Sequence, residues 1–439
     1  MLRKCNEVNE EFFSKHLVLQ KHLPLLGKIK TTFRSDDDLL FVKAPGRVNL
    51  IGEHTDYNMG PVLPCAIDKE IVFCLRKNDS DEINVDNVNP KFSALKFSIR
   101  QPIDPYAKGN WGNYIKAGIK GVIDHLQSNG YHNLNDLCGF DAVVSGTLPL
   151  AAGLSSSSAL VVGAALSFVI INNLNIEKLE IAEICAKSEH FVGTAGGGMD
   201  QAASLLGKKN SFLKMEFNPL RIEPILAPEG LQIVLFHSLI EAEKSGKARV
   251  EYNRRVLECR MAVDLFEIYM VNKRAIKHSP VKYIGEIKPE RFHTNELELD
   301  RLVLKFLERL PNSYTKSEFS QALGISEHEI IKKYQDILRS EHWVEPPGGF
   351  KIRGRFKHVY TECRRVDYTV ACLTENKLSE LGGLLNASHQ SLSQDYEVSL
   401  PEVDQLVKTI LKNGAAGARI MGAGFGGIIL AYTKNENKE

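Results

Sequence analysis

The sequence predicts a globular protein that combines helices with strands and divides into two domains near residue 215. Its 439 residues are enough for two or three domains with a large buried core. Its 43% hydrophobic and 25% charged residues are typical of a soluble globular chain. Predicted strands follow one another closely from residue 212 onward, where the chain changes character. We therefore expect one domain over residues 1–215 and another over residues 216–439.

Helical and strand-like segments are interspersed in the first part of the chain. The predicted helices lie within 1–38 and over 111–126, 154–171 and 176–191, with another beginning at residue 199, and the predicted strands span 39–42, 62–67, 71–75, 93–99 and 140–145. Segment 154–171 has the apolar character of a membrane span, but five of its eighteen residues are serine and no basic flank anchors it. We therefore expect a helix that is buried on all sides.

The second part of the chain is predicted to hold strands, a series of charged helices and a last strand. The strands span 212–217, 222–226, 231–236 and 428–432, and the helices span 242–269, 317–323, 326–338, 359–372, 377–392 and 403–413. Residues 280–345 are charged and helical in pattern, and they show no residues arranged for chemistry.

The charge balance and the cysteines limit the possible partners and compartment. A formal charge of +1, a pI near 7.6 and the absence of a long basic block argue against nucleic acid or an anionic membrane as the main partner. The eight cysteines are scattered, with no C-x-x-C pair, which indicates reduced thiols in a cytoplasmic protein. The N-terminus carries no apolar signal core.

A glycine followed by four serines is the most informative segment of the chain. It opens the long apolar helix and consists of Gly153, Leu154, Ser155, Ser156, Ser157 and Ser158. The free N–H groups and the dipole of a first helical turn suit phosphate, and a serine hydroxyl can ligate magnesium. The alternative is a serine-rich turn that caps a buried helix, although a cap needs one serine rather than four. From these residues alone, both interpretations stay open.

Charged residues are concentrated between two predicted strands, in Ala44–Asn58. Arg47, Glu53, His54 and Asp56 lie there among glycines and apolar residues, which indicates a partly buried backbone whose polar groups need partners. Carboxylates and an imidazole held by a stiff loop suit the hydroxyls of a sugar. The alternative is a surface loop that carries these charges by accident.

Two further segments are rich in glycine. Gly196–Gly198 precede Asp200, so the backbone there can approach a ligand closely and an acid follows at a helix start. The alternative for Asp200 is an ordinary acid in a first turn, where the helix dipole favours it. Gly422–Gly427 form another glycine-rich turn, which is a weak signal by itself.

Glu189 falls on the apolar face of its predicted helix, where a carboxylate needs a cation or strong hydrogen-bond donors. Trp111 and Tyr252, taken alone, are typical of packing residues.

Together these motifs resemble one family of small-molecule kinases. The chain has no Walker A motif and none of the protein-kinase motifs. Residues 46–58 resemble the galactokinase signature, Pro149–Ala159 the phosphate motif of the GHMP kinases, and Gly422–Gly427 their third motif. The resemblance spans roughly residues 30–432 in the family's order. It implies a two-domain α+β GHMP kinase fold with ATP and sugar in the cleft between the domains. This chain departs from the family in that its C-terminal domain is expected to be short at its end.

The resemblance also implies a role for each matched residue. Asp200 is similar to the family's catalytic acid and Arg47 to the arginine beside it. The implied sugar contacts are Arg47, Glu53, His54, Thr55, Asp56, Gly197, Asp200 and Tyr252. The implied nucleotide contacts are Trp111, Gly153, Leu154, Ser155, Ser156, Ser157 and Ser158. Ser157 and Glu189 match the magnesium ligands, with Ser158 as a weaker candidate.

The implied activity is ATP-dependent phosphorylation of galactose at its anomeric hydroxyl, with ATP and Mg²⁺ as cofactors. One alternative is an N-acetylgalactosamine kinase, because residues 183–189, the three glycines before Met199 and the insert near Gly324 are similar to that branch. Thr55, Asn58 and Tyr252 favour galactose. The other alternative is a non-catalytic sensor of galactose and ATP, against which the intact serine motif argues.

Overall fold

The structure is a computed structural model that describes residues 2–100, 102–131, 133–149, 153–193, 196–240, 247–272, 279–338 and 344–433. The described residues fall into two compact units. The first unit comprises Met1–Val48 and Cys65–Lys209, and the second comprises Asn49–Pro64 and Asn210–Glu439. The charged segment between the first long strands is therefore divided: Arg47 belongs to the first unit, and Glu53 to the second.

A six-stranded sheet is the framework of the first unit. Its strands are β1 (Leu2–Lys4), β2 (Asp38–Asn49), β3 (Pro64–Lys77), β4 (Glu82–Asn87), β5 (Leu95–Ser98) and β6 (Phe140–Gly146). They lie in the order β1-β2-β3-β6-β4-β5, with β6 parallel to β4 and antiparallel to β3. Strand β6 leads toward the serine-rich segment, and five of its seven residues are buried because it lies in the middle of the sheet.

The helices of the first unit are α1 (Glu10–Lys15), α2 (Leu17–Gln20), α3 (Leu23–Thr32), α4 (Gly112–Ser128), α5 (Ser156–Ile171), α6 (Lys178–Ser188) and α7 (Met199–Leu206). Helix α5 contacts α4, α6 and α7, and eleven of its sixteen residues are buried. Because Ile170 is exposed, the prediction of a helix buried on all sides is confirmed only in part. Among the described residues, no helix is long and apolar enough to cross a bilayer.

Two small antiparallel sheets belong to the second unit. Strands β7 (Ser211–Glu216) and β8 (Arg221–Leu226) form one of them. The other has the order β10-β11-β9 and consists of β9 (Gln232–His237), β10 (Gly417–Ile420) and β11 (Ile428–Thr433). The glycine-rich segment that starts at Met421 joins β10 to β11, so the sheet holds both ends of that turn.

The helices of the second unit are α8 (Lys247–Asn272), α9 (Glu296–Arg309), α10 (Lys316–Leu323), α11 (Glu327–Lys333), α12 (Gln335–Leu338), α13 (Ile352–Thr374), α14 (Leu378–Gln394) and α15 (Pro401–Lys412). Their core includes a cluster of aromatic rings, in which the centroid of Phe306 lies 5.1 Å from that of Phe266 and 5.0 Å from that of Phe356. Such edge-to-face pairs add to the stabilisation that burial alone provides.

The structure corrects the predicted strands at several places. Strands β1 and β10 were not predicted, and residues 2–4 of β1 lie in a segment expected to be helical. The segments predicted as 62–67 and 71–75 are one strand, β3, because the exposed Asp68 and Lys69 interrupt the apolar pattern and not the backbone. The strand predicted to end at residue 42 continues to Asn49. Strand β4 was not predicted, since only Ile83 and Val85 are apolar in a segment whose other side chains are polar. The helix predicted over 242–269 begins in residues 242–246, which lie outside the described residues.

Candidate active site

The segment that opens α5 has an unusual backbone. Gly153 has φ +80°, a left-handed conformation that glycine adopts without steric cost. Ser155, the N-cap residue, also has a positive φ, +61°, which is strained for a residue with a side chain. Its hydroxyl does not cap the helix and instead donates to Oδ2 of Asp200. Residues 150–152 of the predicted phosphate motif lie outside the described residues.

The first turn of α5 keeps the groups that a phosphate would need. Ser156 and Ser157 are half-buried, and within the described part of the chain their hydroxyls make no hydrogen bond. The first N–H groups of a helix have no partner inside it, and the dipole makes this end positive. Because Ser155 does not cap the turn, these donors suit an anionic ligand.

Arg47 and Asp200 form a largely buried ion pair beside this turn. Nε of Arg47 donates to Oδ1 of Asp200 over 2.7 Å, and Nη1 donates to the carbonyl of Gly153 over 2.8 Å. The side chains are 4% and 19% exposed, so the pair is shielded while Asp200 keeps some access to solvent. Asp200 lies in the first turn of α7, whose dipole favours a negative charge. The structure thus brings together Arg47, Ser155 and Asp200 from three separate segments.

Glu189 is buried, as its helical position predicts, with 7% of its surface exposed. It lies in a short 3-10 turn directly after α6. Its Oε1 accepts a hydrogen bond from the hydroxyl of Ser158 over 2.6 Å. Of the two serines proposed as partners of a metal, Ser158 is therefore the one that contacts Glu189 here, and the role of Ser157 stays a prediction.

Glu53 is held by groups that follow it far along the chain. The residue is 2% exposed, and its Oε1 accepts from Nη2 of Arg419 over 2.7 Å and from the amide of Gly422 over 3.0 Å. Within the described residues no hydrogen bond to its other oxygen, Oε2, is present. The glycine-rich turn after β10 and the part of the charged segment around Glu53 are therefore parts of one hydrogen-bonded cluster in the second unit.

His54 and Tyr252 lie together in a group of aromatic rings. The two ring centroids are 5.6 Å apart, and Tyr252 lies 5.3 Å from Tyr57. Nδ1 of His54 is 2.8 Å from the hydroxyl of Tyr57, which in turn is 2.7 Å from that of Tyr396. Burial lowers the pKa of His54 well below its usual range, so the imidazole is neutral near pH 7.

Thr55 and Asp56 have different surroundings. Thr55 is fully buried, and its hydroxyl lies 2.9 Å from the carbonyl of Gly52 and 2.7 Å from that of Pro61. These bonds hold the loop in shape. Asp56 is half-buried and begins a 3-10 turn. The sugar contacts assigned to both residues stay predictions.

Trp111 and Gly197 both belong to the first unit. Trp111 is 8% exposed, donates from Nε1 to the carbonyl of Ser93 over 3.0 Å and packs against Phe92 with the ring centroids 5.6 Å apart. Gly197 is half-buried and lies just before α7. Their nucleotide and sugar contacts stay predictions.

Sequence reasoning missed the residues that hold the charged segment from a distance. The amide of Gly52 donates to Oε1 of Glu362 over 3.1 Å, and Nε2 of His358 is 3.1 Å from the carbonyl of Glu53. Burial lowers the pKa of His358 to about 4. For Glu362, burial alone would raise the pKa, but the nearby Arg365, His358 and Arg419 bring it down to about 2. A signal for Arg419 was present, since it lies between the apolar Ala418 and Ile420, although no strand was predicted at these residues.

Three family models match this chain. The galactokinase galactose-binding signature matches residues 30–77. The GHMP kinases N terminal domain matches residues 113–208, and the GHMP kinases C terminal matches residues 369–439. The first match contains Arg47 and Glu53, the second Ser155 and Asp200, and the third Arg419.

Curated relatives and solved structures agree with these matches. The galactokinase of Dictyostelium discoideum is 32% identical over 92% of this chain and 82% of its own length. That of Saccharomyces cerevisiae is 31% identical over 92% of this chain and 84% of its own. The structure of Lactococcus lactis galactokinase complexed with galactose matches with a TM-score of 0.68 and 26% identity, covering 91% of this chain and 86% of that one. Mevalonate kinase of Methanococcus jannaschii, with a TM-score of 0.51 and 16% identity over 92% of this chain and 93% of its own, shares the fold. The chain belongs to the galactokinase family of the GHMP kinases.

Proposed function

We propose that this chain is a cytoplasmic enzyme that transfers the γ-phosphoryl group of ATP to the anomeric hydroxyl of galactose, giving galactose 1-phosphate and ADP. The observation that carries the proposal is the shielded pair of Arg47 and Asp200, joined by Ser155 at the start of α5. A carboxylate beside an uncapped helix N-terminus provides both a proton acceptor and a phosphate site. The names of the curated relatives support galactose as the acceptor.

Asp200 accepts the proton of the anomeric hydroxyl while that oxygen attacks the γ-phosphorus. One P–O bond forms, the bond from the γ-phosphorus to the bridging oxygen breaks, and ADP leaves. Arg47 stabilises the carboxylate before the transfer and adds positive charge near the phosphoryl group. Phosphoryl transfer depends mainly on placement and charge stabilisation, and these two residues contribute to both at the reacting atoms.

The first turn of α5 binds the phosphates of ATP. Its N–H groups and the hydroxyls of Ser156 and Ser157 act as donors, and the helix dipole favours the negative charge. The resemblance implies that the ring of Trp111 lies near the adenine of ATP. The second unit supplies four groups that can bind sugar hydroxyls. They are the carboxylates of Glu53 and Asp56, the neutral imidazole of His54 and the phenol of Tyr252.

The residues present fit a magnesium ion. Glu189 is a buried carboxylate in the same unit as Ser157, whose hydroxyl makes no hydrogen bond within the described residues. Magnesium prefers one or two such oxygen ligands together with water and substrate phosphates. Ser157 and Glu189 would hold it, and the ion would neutralise charge on the β- and γ-phosphates.

Replacing Glu189 tests this metal assignment. Glu189→Gln should raise the Mg²⁺ concentration needed for half-maximal velocity by about tenfold or more, since loss of even an outer-shell partner of a metal ligand weakens metal affinity by about 10- to 100-fold. The matched control is Glu183→Gln, an exposed acid on the preceding helix. Mg²⁺ titrations at saturating ATP would measure both, and an unchanged Mg²⁺ requirement in Glu189→Gln would remove this residue from the metal site.

A panel of acceptors tests the activity itself. Purified chain, ATP and Mg²⁺ are mixed with galactose, N-acetylgalactosamine or glucose, and ADP release is followed with a coupled assay. We expect the highest kcat/KM with galactose. A higher value with N-acetylgalactosamine would assign the other sugar, and binding of galactose and ATP without ADP release would identify a sensor.

A further inference from the structure

Arg419 has the surroundings of a residue that holds another in place. It is fully buried, and its hydrogen bonds among the described residues all go to protein groups. Its Nε donates to the carbonyl of Leu50 over 2.9 Å, and its Nη2 donates to the carbonyl of Asn49 over 2.8 Å and to Oε1 of Glu53 over 2.7 Å. All of these bonds go to residues 49–53, which lie about 370 positions earlier in the chain.

Stability alone is a poor explanation for a cation at this position. Removing a guanidinium and a carboxylate from water costs several kcal/mol per ion, and apolar pairs often replace buried ion pairs without loss of stability. Nη1 of Arg419 is also buried with no partner among the described residues, as are both side-chain polar atoms of Asn49. An unpaired buried donor is unfavourable. The cluster is therefore not arranged for the greatest stability.

The arrangement does fix the direction of the Glu53 carboxylate. Arg419 and the amide of Gly422 both donate to Oε1, so one oxygen is held by two donors from the same strand and its following turn. Oε2 receives no hydrogen bond from the described residues and stays available to an acceptor hydroxyl. The bonds to Asn49 and Leu50 fix the backbone that leads into Glu53.

We propose that Arg419 is a positioning residue for the sugar acceptor, acting through Glu53. This rests on the proposed function, in which Glu53 receives a sugar hydroxyl. Loss of Arg419 leaves the carboxylate buried without its cation and the preceding backbone without its anchor. The affinity for galactose should then fall, while the phosphate site at α5 and the Arg47–Asp200 pair keep their own contacts.

Steady-state kinetics of Arg419→Met, Arg419→Lys, Glu53→Gln and the double variant Glu53→Gln with Arg419→Met test this. We expect Arg419→Met to raise KM for galactose at least tenfold, with KM for ATP and kcat changed less than threefold. Arg419→Lys keeps a donor for Glu53 but not the whole set of bonds, so its KM should rise at least threefold. In the Glu53→Gln background, Arg419→Met should add less than twofold to KM, because its effect passes through Glu53.

The control and the contrary results separate the two proposals. Arg76→Met removes an arginine that pairs with Asp37 and Asp141 in the other unit, and KM for galactose should stay unchanged in this variant.

If the wild-type chain does not phosphorylate galactose, the proposed function fails. If it does, and Glu53→Gln raises KM while both Arg419 variants keep the wild-type value, the positioning role is overturned and the function stands. Arg419→Lys carries the test if Arg419→Met does not fold. Full additivity in the double variant would likewise contradict action through Glu53.

Discussion

The hydroxyl of Ser155 connects the helix start with the acid that the proposed reaction uses. A serine at an N-cap position ordinarily binds its own helix, but Ser155 adopts a positive φ and donates to Asp200 instead. Together with Nε of Arg47, it gives each oxygen of the Asp200 carboxylate one donor. One residue from β2 and one from the segment before α5 thus both contribute to the direction of this carboxylate.

Removing that hydroxyl should slow the reaction. Ser155→Ala loses a hydrogen bond to a charged group, worth roughly 1.5–3 kcal/mol, so we expect kcat to fall about 10- to 100-fold. The control is Ser167→Ala in the same helix, since the Ser167 hydroxyl is buried without a partner among the described residues. That variant should keep kcat and be as stable as the wild type or more stable. Equal kcat in Ser155→Ala and the wild type would contradict the role given to Ser155.

At the scale of elements, β2 and the segment before α5 approach each other as closely as a glycine allows. A Cβ on Gly46 would lie 2.4 Å from a methyl carbon of Leu148 and 2.7 Å from the carbonyl oxygen of Leu154. The amide of the next residue, Arg47, donates to the same Leu154 carbonyl over 3.4 Å. The position of the phosphate segment therefore depends on the absence of a side chain at Gly46.

Two glycine substitutions test this with opposite expected signs. Gly46→Ala should lower the free energy of unfolding by about 1–3 kcal/mol, because the backbone carbonyl of Leu154 has to move. In α3, a Cβ added at Gly27 would have no neighbouring atom within 4 Å. Gly27→Ala should therefore raise the free energy of unfolding by about 0.5–1 kcal/mol, because alanine has the higher helix propensity. Urea denaturation followed by circular dichroism measures both. A Gly46→Ala variant as stable as the wild type would show that the segment is not fixed by this contact.

The elements show where sequence patterns are sufficient and where they fail. The long helices α5 and α13 were predicted because their apolar residues extend over many turns. Strand β4 was missed because two apolar residues in six give too little signal. The hydroxyl of Ser155 donates to Asp200 and does not cap α5. This bond could not be predicted, since it depends on a positive φ at Ser155 that no local pattern specifies.

At the scale of the whole molecule, the sequence does not indicate which residues make long-range polar contacts. Arg419 and Glu362 both reach the charged segment from more than 300 residues away. Helical spacing places Glu362 on the same face of α13 as the buried Val359 and Val366, but no sequence pattern indicates that it accepts from the distant amide of Gly52. The family resemblance supplied candidate sugar contacts, but it did not reveal the side chains that support them.

Acid should destabilise the protein in two successive ranges of pH. Burial holds the pKa of His358 at about 4, against 6.5 when exposed, so the unfolded chain binds this proton more tightly. The free energy of unfolding should therefore fall as pH drops from 6.5 to about 4, by up to about 3 kcal/mol for this residue. Because the pKa of Glu362 is lowered in the folded state, the free energy of unfolding should fall further as the pH drops from 4.5 to about 2. His54 and His389, whose pKa values burial also lowers, act in the first range.

Denaturation curves between pH 7 and pH 4.5 check this prediction. His358→Gln should show a shallower loss over that range, because one of the buried imidazoles no longer takes up a proton on unfolding. A free energy of unfolding that stays constant or rises on acidification would contradict the burial of these groups.

The central claim is that Asp200 is the proton acceptor in transfer from ATP to galactose. The direct measurement compares galactose 1-phosphate formation and calorimetric galactose binding in the wild type and Asp200→Asn, which keeps the size of the side chain. We predict that turnover falls by about 10²- to 10⁴-fold while the Kd for galactose changes only a few-fold. Turnover near the wild-type rate in Asp200→Asn would contradict the account.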